Sequence, residues 1–347
     1  MSLLSSVGRR RNVRPDPVPY LDGRVLVWED DFDSGLSEWR IDERVVNPNG
    51  ELQAYTSRPE NVRAVGSCLV LEARREAFRG QSWTSGRVDT NDRHEFHYGR
   101  LEARMKHPLA QGMWPAWWML GATSANVISE PGGVSTWTGE LWPACGEIDI
   151  MEGWGTEASM SSGIIFDAGS GTIGGTTACA GGLDRSEWHT YALEWTPTTA
   201  AFSVDGVVHG TLATEGRPEF TRPMYVILNL AISGGGKAPD ETTPDTARVL
   251  VDWVRVYAPV GATEVIVPAS VALDNATLAV TVGGAKGITT ATVSPADSQD
   301  KGVAWTSSDP AVAIVGGGYV TGKGAGTTTI TATTWNGHST SCVVTVT

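Results

Sequence analysis

The chain has 347 residues, 41% hydrophobic and 19% charged, which excludes wholesale disorder and leaves length for one large all-β domain plus a small one. Its formal net charge is −13, nearly all of it before residue 263, so nucleic acid and anionic lipid are poor partners and a neutral one is expected. Four scattered cysteines, Cys68, Cys145, Cys179 and Cys342, exclude a disulfide framework or zinc cluster. They are expected as buried thiols, with a Cys145–Cys179 bridge as the alternative.

In chain order, residues 1–24 read as an N-terminal extension. Their arginines follow the apolar residues, and no apolar core of about seven residues is present, so the segment does not read as a secretion signal. No later stretch approaches the roughly 18 apolar residues of a membrane span.

From 25 to 258 the texture is short alternating runs broken by Gly, Asn and Pro: LVLEARRE (69–76), YGRLEARMKH (98–107), HTYALEWT (189–196), AFSVDGVVHG (201–210) and VLVDWVRVY (249–257). Period-two alternation with frequent turn signals predicts an antiparallel sandwich or barrel and no helix of three turns. Twelve of the 14 tryptophans fall in this part, where an indole serves equally as core filling or as a platform for the apolar face of a sugar ring. Residues 259–266 read as a linker. Residues 267–347 shift to Val, Thr, Ala and Gly, with strands such as VAWTSS (303–308), TTTITATT (327–334) and CVVTVT (342–347), which predict a second, smaller sandwich.

The chemistry concentrates in GEIDIMEGWG (146–155), where Glu147, Asp149 and Glu152 interrupt an otherwise apolar strand. A regular strand would turn Glu152 away from the other two. One extra residue around Ile150–Met151, a β-bulge, would bring it back. Side chains leaning together could then set two carboxyls about 5 to 5.5 Å apart, the spacing of a retaining glycosidase. Three acids so close cannot all ionise, so the cluster should hold a proton near neutral pH and titrate as a unit. The competing readings are a solvated polar face and a calcium or magnesium site. Against the first, the acids interrupt Ile, Ile and Met, which imply that the other face is packed; against the second, the motif has no histidine and no further acidic loop.

With the triplet in view, the sequence resembles glycoside hydrolase family 16, the laminarinase and lichenase group, whose motif ExDxxE is matched at Glu147, Asp149 and Glu152. WEDDFD (28–33), NGELQAYTSRPENV (49–62), TSGRVDT (84–90), YGRLEARMKHPLAQGMWPAWWMLG (98–121), WHTYALEWTP (188–197), YVILNLAISGG (225–235) and VDWVRVY (251–257) extend the likeness over 25–258. The resemblance implies a curved β-jelly-roll sandwich of the concanavalin A-like kind that cuts internal β-1,3 or mixed β-1,3/1,4 linkages of a neutral β-glucan. Glu147 would be the nucleophile, Asp149 the assisting carboxylate and Glu152 the general acid and base, with no cofactor for catalysis.

It further implies Trp114 as a sugar platform and Asn49 and Arg87 as hydrogen-bond donors in the cleft. Trp118, Trp137, Trp142 and Trp154 are additional cleft candidates. Asp252, with carbonyls near Glu29 and Gly66, falls where many members hold a structural calcium on the convex face. One departure is GIIFDAG (163–169), with Phe166 where laminarinase-like members commonly carry a histidine, which puts β-1,3 specificity in question. Residues 264–347 resemble the bacterial immunoglobulin-like domain of group 2, usually a spacer or adhesion element, with Trp305 as a core residue.

The alternatives are a family member acting on another galactan or glucan, one that transfers chains, and a non-catalytic carbohydrate-binding protein on the same fold. An extracellular or surface location is expected, as a monomer or as part of a larger surface or virion assembly.

Overall fold

The computed structural model describes residues 21, 23–45, 49–122, 126–129, 135–138, 142–169, 173–234, 237–287 and 291–347, with the side chains of 126–129 and 135–138 excepted. Most of the N-terminal extension and the side chain of Trp137 therefore lie outside the described residues.

The first unit is two packed, mainly antiparallel sheets, the expected jelly-roll sandwich; the one parallel pair among the strands described there joins Gln53–Tyr55 to Gln81–Ser85. One sheet runs in the order Ile173–Gly181, Ser159–Asp167, Glu147–Gly153, Met113–Gly121, Met224–Ile232, Arg87–Asp89, Arg40–Ile41. The other is ten-stranded and has Gly99–Lys106 and Thr246–Tyr257 at its centre. Only a short 3₁₀ turn, Pro218–Thr221, supplies a helical element among the elements described.

Alternation explains the sandwich. In Met113–Gly121 the odd residues Met113, Trp117 and Met119 are fully buried between the sheets, while Trp114, Trp118 and Leu120 point to the other face and stay half-exposed. An antiparallel sheet covered on one side ordinarily shows polar residues on its free side. Half-exposed indoles there instead mark the seven-stranded sheet's free face as a surface meant to be covered by a ligand. Trp39, Trp83, Trp117, Trp195 and Trp253 are core filling.

The second unit begins its strands at Ser270–Ala272 and packs a four-stranded sheet, containing Gly326–Thr334 and Ser339–Val346, with a three-stranded one. Trp305 packs against its core as expected. None of the four cysteines is joined in a disulfide, which sets aside the Cys145–Cys179 bridge. Cys145 and Cys342 are buried, but Cys179 is exposed and Cys68 intermediate. Cys179 lies on Ile173–Gly181, which ends the seven-stranded sheet and is exposed along most of its length.

The second unit is docked on the first, which its expected role as a spacer did not foresee. Phe96 bridges both Met224 and Asp300, Lys301 N donates to Glu95 O (2.7 Å), and His97 N donates to Gln299 O (3.1 Å). The Asp300 carboxylate takes the Glu95 N–H (3.1 Å) and lies 2.6 Å from His94 Nδ1, whose Nε2 is 2.9 Å from Glu38. A Cβ on Gly302 would sit 2.0 Å from Arg93 O, so only glycine lets the two backbones approach this closely.

Burial by itself would lower the His94 pKa, but its hydrogen bonds to Asp300 and Glu38 outweigh this and raise it to about 9. Burial also raises Asp92 to about 6 and holds Glu95 well above the usual carboxylate range. A raised pKa means stability present at low pH and lost as pH climbs through the folded-state value, and all three groups share that sign. His94 sets the window: docking is expected to loosen as pH climbs from about 7 through 9, the loss at Asp92 being complete below that. Hydrogen exchange, corrected for its intrinsic pH dependence, should rise selectively in 93–97 and 299–302, and Asp300→Ala should do the same at pH 7, at a cost of about 3 kcal/mol.

Candidate active site

The strand Glu147–Gly153 carries the expected bulge. Against Ser159–Asp167 the register runs Glu147 to Ile165 and Asp149 to Gly163, then Glu152 to Ser161. Against Met113–Gly121, Asp149 faces Trp118 and Glu152 faces Ala116. Two residues, Ile150 and Met151, thus occupy the space of one, and both are buried in the core. Unbulged alternation would push Glu152 into the sandwich and Met151 into water, and burying a carboxylate costs far more than a broken ladder bond. The bulge is therefore written into the order Ile, Met, Glu. Ser162 Oγ donates to Ile150 O (2.8 Å), satisfying a carbonyl at the bulge.

All three acids consequently share the free face. Each glutamate receives an indole: Trp142 Nε1 donates to Glu147 Oε2 and Trp114 Nε1 to Glu152 Oε1, both at 2.9 Å. Ser161 adds a side-chain hydrogen bond to Glu152. Burial, then the charge of Glu152, raises the Glu147 pKa to about 7, although Trp142 and Asp149 hydrogen bonds and Arg87 pull it down. Asp149 is held well above the carboxylate range by burial and by both glutamates. Burial also raises Glu152. The resident proton of the cluster belongs on Asp149, which donates it to Glu147.

That assignment separates two substitutions. Asp149→Asn keeps an N–H donor beside Glu147, whereas Asp149→Ala leaves the carboxylate without it. The acid limb of kcat/KM is expected to move up in pH for Asp149→Ala, because the hydrogen bond favoured the ionised Glu147, and to move far less for Asp149→Asn.

Around the acids, Trp118 Nε1 donates to Asn229 Oδ1 (2.6 Å), and Asn229 Nδ2 donates to Tyr55 Oη (3.1 Å). Arg87 lies over the Trp118 ring (4.8 Å) and pairs with Asp42 (3.0 Å), which also binds Arg44. Arg87 therefore reaches the site, but as a buried support for Trp118 more than as a free donor. Among the indoles on this face, Trp142 is the most exposed, at 46%. Trp154 stacks on Trp114 with centroids 4.0 Å apart. Asn49 is an exposed turn residue three positions before Leu52, whose N–H donates to Ile232 O at the end of Met224–Ile232.

Tyr55, Asn229, Asp42 and Ser161 were not singled out from the sequence. Asn229 had a readable signal, being the one polar residue in the apolar run MYVILNLAI. The others became visible only through pairing.

Phe166 requires a correction. On Ser159–Asp167 the residues opposite the acids are Ser161, Gly163 and Ile165, so Phe166 points into the sandwich. There it touches Phe220 and lies under Arg217 (3.4 Å), and it presses on Gly174, where a Cβ would meet its ring at 2.3 Å. It removes nothing from the substrate face; Ile165 is the residue presented beside Glu147.

The calcium set is partly gathered. Leu69 pairs with Val251, which brings the turn holding Gly66 to the stretch where Asp252 bulges out of register. However, Asp252 is ion-paired with Arg104 (2.8 Å) and Glu29 with Arg255 (3.5 Å). Among the described residues no three His, Cys, Asp or Glu side chains converge as a metal site. The set the resemblance implies is instead backbone carbonyls near Glu29 and Gly66 with the one carboxylate of Asp252, an oxygen set that calcium accepts and whose loss on chelation a thermal melt would record.

Residues 49–255 match the family model described as glycosyl hydrolases family 16, and residues 268–344 match the bacterial Ig-like domain (group 2). A beta-glucanase of Rhodothermus marinus is 34% identical over 282 residues, covering 74% of this chain and 92% of that protein. The glucan endo-1,3-beta-glucosidase A1 of Niallia circulans is 28% identical over 276 residues, 69% of this chain but only 38% of its own length. The solved LamAcat of Zobellia galactanivorans superposes with a TM-score of 0.58 at 31% identity, covering 67% of this chain and 97% of that one.

Proposed function

The chain belongs to glycosyl hydrolases family 16, and from that premise we propose that it cuts internal β-1,3 or mixed β-1,3/1,4 linkages of a neutral glucan by double displacement. The observation that carries the reading is the bulge, which sets Glu147 and Glu152 on one open face with an indole N–H on each.

A glucan laid along this face has its scissile linkage between the two carboxylates. Glu147 attacks the anomeric carbon as the C–O bond breaks, and Glu152 gives its proton to the departing oxygen. Glu147 is then an ester and Glu152 a carboxylate. Water next attacks the same carbon, surrenders its proton to Glu152 and releases Glu147, so the anomeric configuration is retained. The raised pKa of Glu152 suits it to hold a proton for the first step, and ester formation at Glu147 removes the charge that opposes its own ionisation. Asp149, protonated, keeps Glu147 oriented throughout. Half-exposed Trp114, Trp118 and Trp142 supply apolar area for the sugar faces.

The acidic surface and open face suit a neutral polymer met outside the cell or at its surface. The test is incubation with laminarin, lichenan, curdlan, xyloglucan and agarose, followed by product sizing. Early appearance of mixed-length oligosaccharides from laminarin or lichenan supports the reading. Cutting of agarose or xyloglucan alone would reassign the substrate, and binding without cutting would make the protein a glucan-binding one.

A further inference from the structure

Arg185 is fully buried, yet it makes no ion pair among the described residues. Its donors go to neutral acceptors instead. Nε reaches Glu157 O (3.0 Å), and Nη2 reaches the carbonyls of Glu157 (2.7 Å), Gly155 (3.2 Å) and Trp154 (3.3 Å). Nη1 lies 3.2 Å from Nδ1 of His107, a ring held neutral by burial and by the adjacent guanidinium, whose Nε2 is 3.1 Å from Tyr191 Oη. A lone buried cation is costly unless several acceptors hold it, so this one must be fixing something.

What it fixes is the loop that leaves the acid-bearing strand. Gly153, next to Glu152, has no left-handed φ to justify a glycine; a Cβ there would lie 1.9 Å from Arg185 Nη1. The glycine is therefore the space the guanidinium occupies. One residue on, Trp154 stacks on Trp114, with Lys237 Nζ 4.8 Å over its ring and bound to Glu157 (2.9 Å). Trp154 is thus a packed backing for Trp114, whose N–H holds Glu152.

We infer that Arg185 is a positioning residue for the acid/base, acting through the 154–157 backbone, Trp154 and Trp114 to set the indole that hydrogen-bonds Glu152. Resting on the glycosidase reading, the inference gives that reading a support beneath the site which touches no substrate. Its reach is specific: what Arg185 governs is proton delivery, more than attack by Glu147.

The test is Arg185→Lys, which keeps the charge but cannot fork across three carbonyls. For an unactivated laminari-oligosaccharide, kcat/KM is expected to fall about 10- to 100-fold. Its basic limb should move up in pH, since a weakened indole bond no longer favours ionised Glu152. For an aryl glycoside whose leaving group needs no proton, the glycosylation rate should barely change. Added to Trp154→Ala, Arg185→Lys should cost little more, as steps of one relay do not sum.

Independently of activity, the Trp114 indole N–H cross-peak of ¹⁵N-tryptophan protein, assigned by its loss in Trp114→Phe, should shift in Arg185→Lys. That readout separates a failure of the inference from a failure of the glucanase reading. If Arg185→Lys does not fold, Gly153→Ala, which presses on the guanidinium from the strand side, carries the same expectations. An unmoved Trp114 peak, equal losses on both substrate kinds, or additivity with Trp154→Ala would each overturn the inference.

Discussion

Glu147→Ala is expected to lower kcat on polymeric glucan about 10⁴- to 10⁶-fold, the scale on which enzymes lose activity when a covalent nucleophile is removed, equivalent to roughly 5 to 8 kcal/mol of barrier. Binding should survive, because Trp114, Trp118 and the Asn229–Tyr55 network are untouched. Azide should restore turnover by occupying the vacated volume and attacking the anomeric carbon from the side Glu147 used. Glu152 still protonates the leaving oxygen in this variant, so the product should be the α-glycosyl azide. Rescue yielding the β-azide would exchange the roles of the two glutamates. Removal of Glu147 also relieves the charge crowding on Asp149, so the variant should be no less stable than its parent at neutral pH, as a thermal melt would record.

Glu152→Gln is expected to cost about 10²- to 10⁴-fold on polymer, where the departing sugar oxygen needs a proton. The amide still accepts from Trp114 Nε1, so geometry is preserved while proton transfer is lost. With an activated aryl leaving group, glycosylation should be nearly spared. The glycosyl-enzyme should then accumulate, since no base remains to activate water, and a burst of phenol followed by a slow steady state is the expected trace. Azide, which needs no deprotonation, should release the sugar as the β-azide. Equal losses on polymer and aryl glycoside would contradict the acid/base assignment.

These two outcomes rest on a feature that could be read from the chain. The order Glu, Ile, Asp, Ile, Met, Glu cannot satisfy both faces of a regular strand, and an inserted residue is the cheap resolution. The sandwich itself was legible for the same reason, since period-two alternation reports which face is buried. Phe166 shows where such reading stops. Matching a segment to a family pattern fixes a position in sequence, but a side chain's face is set by register with the neighbouring strand, and that register points Phe166 inward.

Arg87 and Trp154 illustrate a second limit. Both reach the site, but each is engaged by neighbours distant in sequence, Arg87 by Asp42 and Trp118, Trp154 by Trp114 and Lys237. Composition says that an indole can stack; only packing says upon what. The docking of the second unit through Asp300 and His94, 206 positions apart, left no local pattern at all. Cys179 departs from the usual preference of free thiols for the interior because the strand bearing it forms an exposed sheet edge.

The most direct measurement is to trap the enzyme with a 2-deoxy-2-fluoro-laminaribiosyl fluoride and map the labelled peptide by mass spectrometry. The bulged-strand account predicts one sugar, bound as an ester on Glu147. An adduct on Asp149 or Glu152, or hydrolysis of laminarin releasing the α-anomer first with no adduct at all, would contradict it.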